Sequence, residues 1–220
     1  MDMDGLILDT EPLYKAAWQR AAADLGYELD DSFYLTLVGR PTQDCEEALL
    51  RRCGPAFPLE NFRSRWPELW RLEVTQAGIS TKPGLLEFLS FIDDHGLPVA
   101  VATSSDADYA TFSLQQAGLD GRFGIIVTGD QVARGKPAPD IYVEAARRLE
   151  IDPAHCVALE DSEAGVISAA GAGMFALLIP DWTTPSDAAV QAAFRVLASL
   201  HEARQVVAAL VANADPAAKR

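Results

Sequence analysis

Residues 1–11 read MDMDGLILDTE. Asp2 and Asp4 stand two apart, and Gly5 follows at once. If Asp2 closes a β-strand, glycine lets the backbone leave the sheet in a tight turn. Both carboxylates then sit at the C-terminal edge of a strand, where open α/β sheets bind their ligands. One carboxylate can attack while the other gives and takes a proton. Asp and Gly are also ordinary turn residues, so the stretch alone leaves a plain turn open. A parallel strand needs roughly five apolar residues. Only Met1 precedes Asp2, so the first strand is expected to be truncated at the N-terminus, with the rest upstream of Met1.

Outward from this start, PLYKAAWQRAAADL (residues 12–25) carries Leu13, Ala17, Ala21 and Leu25 at helical spacing, with Gly26 as a stop. Further helices are expected near 31–38, 42–53 and 58–77, punctuated by Gly39, Gly54-Pro55 and Pro58. Trp66, Leu69, Trp70 and Val74 share one helical face and read as core packing. After Gly78 the pattern changes. LPVAVATSS (97–105), GIIVTGD (124–130), CVALEDS (156–162) and MFALLIP (174–180) are short apolar runs, with helical segments near 84–94, 106–117, 139–149 and 163–171 between them. Strands alternating with helices imply an α/β fold with a Rossmann-like parallel sheet and helices on both faces. The helical block interrupts it after the first strand. The expected domains are a core of 1–11 and 79–220 and an all-helical insert of 12–78. A final helix is expected within 186–210, and the tail NADPAAKR is expected to fray.

A net charge of −14 and a pI near 4.5 argue against nucleic acid and anionic membranes as partners. Cys45, Cys53 and Cys156 are widely spaced, which disfavours a disulfide framework or zinc site and fits a reducing, cytoplasmic location. They read as core filling, and His95, His155 and His201 as surface or structural residues. Neither a signal peptide nor a membrane-length apolar run is visible.

In a parallel sheet the C-terminal strand ends share one edge. That edge collects Asp2 and Asp4, Thr103 with Ser104 and Ser105, Thr128 and Asp130, then Glu160 and Asp161, with Lys136 following the third strand in RGKPAPD. Phosphoryl oxygens need donors and cations. Thr103 can donate a hydroxyl, helix N-terminal amides can add to it, and Lys136 can neutralise charge. Acids alone would repel a phosphate, so a divalent cation must intervene. Mg²⁺ suits carboxylate oxygens, with Asp2, Asp161 and a carbonyl near Asp4 as donors. Each residue also has a plainer reading: 103–105 as a helix cap, Lys136 as a solvated lysine, Glu160-Asp161 as acids at a helix start.

DxDG, then TSS, then GKP, then ED, in this order, resembles the haloacid dehalogenase-like superfamily. The likeness is to its helical-cap branch, which holds β-phosphoglucomutase and many sugar-phosphate phosphatases. It runs from MDMDGLILDTEPLY through VATSS and GKPAPDIY to LEDSEAGVISAAGAGM. The resemblance implies a Mg²⁺-dependent phosphatase acting on a small phosphorylated metabolite, with a sugar phosphate as the expected substrate; a monomer or weak dimer is expected. It implies Asp2 as nucleophile forming an aspartyl-phosphate, Asp4 as general acid and base, and Thr103 and Lys136 as phosphate-binding residues. It further implies Asp2, Asp4, Glu160 and Asp161 as the metal set, with Glu160 a ligand or its partner; Glu11, Arg40, Ser104 and Ser105 are the expected substrate contacts. The insert resembles a mobile cap hinged near Thr10–Pro12 and Ile79–Pro83. Asp4 argues against carbon dehalogenation, and Lys15 gives no reason to expect phosphonatase chemistry. Where the mutase branch carries a histidine soon after the first motif, this chain has Tyr14, which favours hydrolysis over mutase action. A non-catalytic phosphate-binding module is the remaining alternative.

Overall fold

The computed structural model describes residues 1–40 and 42–214. The chain divides into two compact units, Met1–Asp9 with Ser80–Arg220, and Thr10–Ile79.

The first unit is α/β. Strand β1 (Val101–Ala102) pairs in parallel with β2 (Ile126–Val127). Strand β3 (Val157–Glu160) pairs in parallel with β4 (Phe175–Leu178), and β4 with β5 (Arg195–Val196). The N-terminal residues join these two sheets. Met1 N donates to Ala100 O at 2.8 Å, Ala102 N donates to Met1 O at 2.9 Å, and Asp2 N donates to Leu159 O at 2.9 Å. Met1 and Asp2 therefore take the lane between β1 and β3, bonded to β1 through Met1 and to β3 through Asp2. Met3 is fully buried. Hydrogen bonds at the ends of β1, Val101 N to Ile125 O and Thr103 N to Val127 O, carry its pairing beyond the two residues of regular strand.

Helices α5 (Leu85–Asp94), α6 (Ala107–Gln116), α7 (Asp140–Leu149) and α8 (Glu163–Gly171) fill the intervals, within one or two residues of the sequence expectation. Alanine and branched aliphatic residues build the core under them, among them Ala102, Val127, Ile141, Ala158, Val166 and Leu178. The final segment departs from the expected single helix. It splits into α9 (Asp187–Ala192), β5 and α10 (Leu200–Ala214). Phe194 N and Leu197 N donate to Ala176 O and Leu178 O, so the chain pauses to satisfy the open edge of β4. The restart is a capping arrangement: Glu202 N donates to Ser199 Oγ, and the Glu202 carboxylate accepts Ala198 N. Of the tail expected to fray, Asn213 and Ala214 belong to α10, and the rest lies outside the described residues.

The second unit holds helices α1 (Glu11–Asp24), α2 (Asp31–Leu35), α3 (Thr42–Cys53) and α4 (Leu59–Ala77). Small residues Ala17, Ala21 and Ala22 let α1 pack closely on α4, whose Phe62, Leu69, Trp70 and Val74 are buried. Trp66 is only partly buried but stays in the aromatic cluster, its ring 6.0 Å from both Tyr14 and Trp18. Cys45 is buried under Leu37 and Ala48, whereas Cys53 and Cys156 are partly exposed rather than core-filling. Among the described residues no helix is long and apolar enough to cross a membrane.

Candidate active site

After Met3 the chain turns. Gly5 has φ +79°, and Ile7 N and Leu8 N both donate to Met3 O. A side chain at Gly5 would be strained by that backbone and would stand 2.3 Å from an Asp161 carboxylate oxygen. The glycine in DxDG is thus fixed by both the turn and the acid behind it. Leu8 then bridges Thr81 in antiparallel fashion, with Lys82 N donating to Ile7 O and Asp9 N to Ser80 O.

Asp2, Lys136 and Glu160 form one buried cluster. Lys136 Nζ donates to Asp2 Oδ1 and to Glu160 Oε1, both at 2.5 Å, and to Ala102 O at 3.0 Å. Its side chain is only 4% exposed, so the solvated-lysine reading gives way to a cation held inside the sheet edge. Glu160 is fully buried; its Oε1 also accepts Tyr142 Oη at 2.5 Å, and its Oε2 accepts Ser162 Oγ at 3.1 Å. The Lys136 ammonium lies 5.2 Å from the Tyr142 ring centre.

Carboxylate oxygens of Asp2, Glu160 and Asp161 converge to within 4.8 Å of one another. Burial pushes the Asp2 carboxyl up to about 7, with Lys136 opposing and Glu160 reinforcing the rise. Burial, then the charges of Asp2 and Glu160, hold Asp161 well above the usual carboxylate range. Burial alone would lower the Lys136 ammonium, but the two carboxylates outweigh it and the net shift is upward. Lys136 answers Asp2 and Glu160, and Asp161 adds a further, half-buried carboxylate beside them. Desolvated oxygen donors in excess of their cation fit a small hard divalent ion such as Mg²⁺. The Asp4 carboxylate does not join this cluster. It turns to Tyr109 Oη, which donates to its Oδ1 at 2.8 Å, and to Ser105 Oγ, which donates to its Oδ2 at 3.1 Å.

The hydroxyl run follows β1. Thr103 is buried, and its Oγ1 accepts Ser105 N at 3.1 Å. Ser104 is exposed. The cap of α6 is Asp106, which accepts Tyr109 N, so 103–105 form a turn before the helix rather than its cap. Gly129 N donates to Ser105 O, and a Cβ on Gly129 would meet Ser104 O at 2.3 Å. Backbone contact this close admits only glycine. Thr128 Oγ1 donates to Asp130 Oδ1 at 2.6 Å, so this pair is turned inward on itself.

Glu11 and Arg40 belong to the Thr10–Ile79 unit. Glu11 Oε1 accepts Tyr34 Oη at 2.7 Å; Arg40 is exposed after Leu37, to whose carbonyl its N–H donates. Several polar residues were not anticipated from sequence: Tyr109, Tyr142, Ser162 and a Lys82 bridge between Asp9 (3.2 Å) and Asp181 (2.5 Å). Tyr142 left a signal. It lies on the apolar face of α7 with Ile141, Ala145 and Ala146, and a buried phenol must find a partner. Lys82 and Asp181, remote in sequence, left none.

A family model described as haloacid dehalogenase-like hydrolase matches residues 1–173. The phosphorylated carbohydrates phosphatase of Thermotoga maritima is 35% identical over 79% of this chain and 80% of its own. Fructose-1-phosphate phosphatase YqaB of Escherichia coli is 34% identical over 80% of this chain and 92% of its own. Among solved structures, a T. maritima protein provisionally named a β-phosphoglucomutase superposes with a TM-score of 0.81 at 30% identity, covering 95% of this chain and 97% of that one.

Proposed function

The chain belongs to the haloacid dehalogenase-like hydrolase family and is a phosphatase within it, and from that premise we propose a Mg²⁺-dependent phosphomonoesterase that acts on a small sugar phosphate. The observation that carries the reading is the Lys136 ammonium bonded to Asp2 Oδ1 at the strand edge, with Asp161 beside it. An ammonium in that place lets an anionic phosphoryl group approach a carboxylate nucleophile.

In this reading Asp2 attacks phosphorus; the new bond to its oxygen forms as the ester P–O bond breaks. Asp4 gives its proton to the departing alcohol. It then takes a proton from water as that water attacks the aspartyl-phosphate, which returns Asp2 and releases phosphate. Thr103, Ser105 and the amides of their turn bind the phosphoryl oxygens with Lys136. Asp2 and Asp161 would hold Mg²⁺, which supplies neutralisation of phosphoryl charge when bound. Glu160, whose oxygens take bonds from Lys136, Tyr142 and Ser162, serves to hold the lysine. We read the Met1–Asp9 and Ser80–Arg220 unit as the catalytic domain and the Thr10–Ile79 unit as a cap carrying Glu11 and Arg40 as substrate contacts. The names of the relatives support a sugar phosphate and favour hydrolysis over mutase action. So does Tyr14, whose ring stacks 5.6 Å from Trp70 where the mutase branch keeps an imidazole.

The test is inorganic phosphate release from a panel of sugar phosphates, with Mg²⁺ and with a chelator. Release that needs Mg²⁺ is expected. Metal-independent release would refute the metal role, and isomerisation of a hexose monophosphate faster than its hydrolysis would refute the phosphatase assignment.

A further inference from the structure

Both oxygens of Asp4 are held by hydroxyl donors, and the two donors differ in kind. Ser105 lies in the turn proposed above to bind phosphate. Tyr109 does not; it comes from the first turn of α6, where Asp106 fixes its backbone N–H at 2.8 Å. The Asp4 backbone is held as well, since the next residue's N–H donates to Leu8 O at 2.9 Å. Side-chain rotation at Asp4 is restrained through Oδ1 by Tyr109 Oη.

We infer that Tyr109 is a positioning residue for Asp4: it holds Oδ1 while Oδ2 serves the reacting oxygen. The inference rests on the phosphatase reading above. An arriving phosphoryl oxygen competes with Asp4 Oδ2 for the Ser105 hydroxyl. When Ser105 turns to phosphate, its bond to Oδ2 is given up, while the phenol, half-buried and with only two side-chain torsions, keeps its hold on Oδ1 and so aims the carboxylate at the leaving alcohol.

The experiment compares Tyr109→Phe with the unaltered enzyme in Mg²⁺ on two esters, glycerol phosphate and p-nitrophenyl phosphate, by kcat/KM. An alkyl alcohol needs a proton to leave; p-nitrophenolate does not. Loss of one restraint on a general acid is expected to lower kcat/KM about tenfold for glycerol phosphate and less than about twofold for p-nitrophenyl phosphate. Equal falls on both esters, or no fall on glycerol phosphate, overturn the inference. In an Asp4→Asn background the added Tyr109→Phe change should alter the glycerol phosphate value by less than about twofold, because the residues act as one unit; a further tenfold fall there also overturns it. If the unaltered enzyme releases phosphate from neither ester nor from any sugar phosphate, the phosphatase reading itself is what fails.

Discussion

Asp2→Asn is expected to stop turnover and, without metal, to make the protein more stable. Burial raises the Asp2 carboxyl from 3.8 to about 7. At about 1.4 kcal/mol per pH unit, that rise makes the ionised folded state less stable by on the order of 4 kcal/mol. The sign follows from which state loses its proton first. Below pH 3.8 the acid is protonated in both states and has no effect. As pH rises from 3.8 toward 7 the unfolded chain ionises first and stability falls; above 7 the penalty is constant. Asparagine cannot ionise, yet keeps an oxygen for Lys136. At pH 8 in chelator the variant should therefore exceed the unaltered protein by up to about 4 kcal/mol, and the two should converge near pH 4. For a chain this size each kcal/mol moves Tm by about 2–4 °C, so thermal scans by circular dichroism would read a gain on the order of 10 °C. Mg²⁺ should raise the Tm of the unaltered protein and narrow the gap, because a ligand that binds only the folded state stabilises it by mass action. A variant no more stable at pH 8, or a gap unchanged at pH 4, would refute the claim that crowded, desolvated carboxylates define this site.

Lys136→Met should act in the opposite direction. It leaves Asp2 and Glu160 buried without their cation, which costs roughly 3–5 kcal/mol, measurable by urea unfolding at pH 8 and smaller at pH 5, with phosphate release abolished. Gly165→Ala tests the backing of the same cluster: its Cβ would lie 1.9–2.0 Å from the Glu160 carboxylate, which Lys136, Tyr142 and Ser162 pin in place. We expect a loss of about 1–3 kcal/mol from overpacking, with a fall in kcat as Lys136 is displaced. An unchanged Tm and kcat would mean that Glu160 moves freely.

The α/β layout was legible because each strand is a short valine- or leucine-rich run closed by the residues it presents, as in VATSS and VALEDS. The candidate site was legible for a related reason: a parallel sheet brings strand ends together, so residues 100 positions apart in sequence share one edge. β5 was hidden because PSDAAVQAAFRVLASL keeps an apolar rhythm compatible with one helix, and only the open edge of β4 interrupts it. The Ser199 and Glu202 capping pair was the local clue. The burial of Lys136 could not be read from sequence, because lysine is ordinarily solvated and the reversal depends on two carboxylates, Asp2 and Glu160, remote from it in sequence. Tyr109 was hidden as well; three residues past a cap, a tyrosine looks like any amphipathic helix position.

The paired segments Ile7–Asp9 and Ser80–Lys82 have a consequence for how such a chain diversifies. Their antiparallel bonds place the two junctions of the seventy-residue insert side by side within the α/β unit. A loop whose ends already meet adds little to closure entropy as it lengthens, only about 0.6 kcal/mol for each doubling. The intervening segment is therefore exchangeable cargo: it can be shortened, enlarged or grafted from another protein while the sheet and its acidic edge keep their register. Recombination at these two junctions would exchange the insert without redesigning the carboxylates themselves.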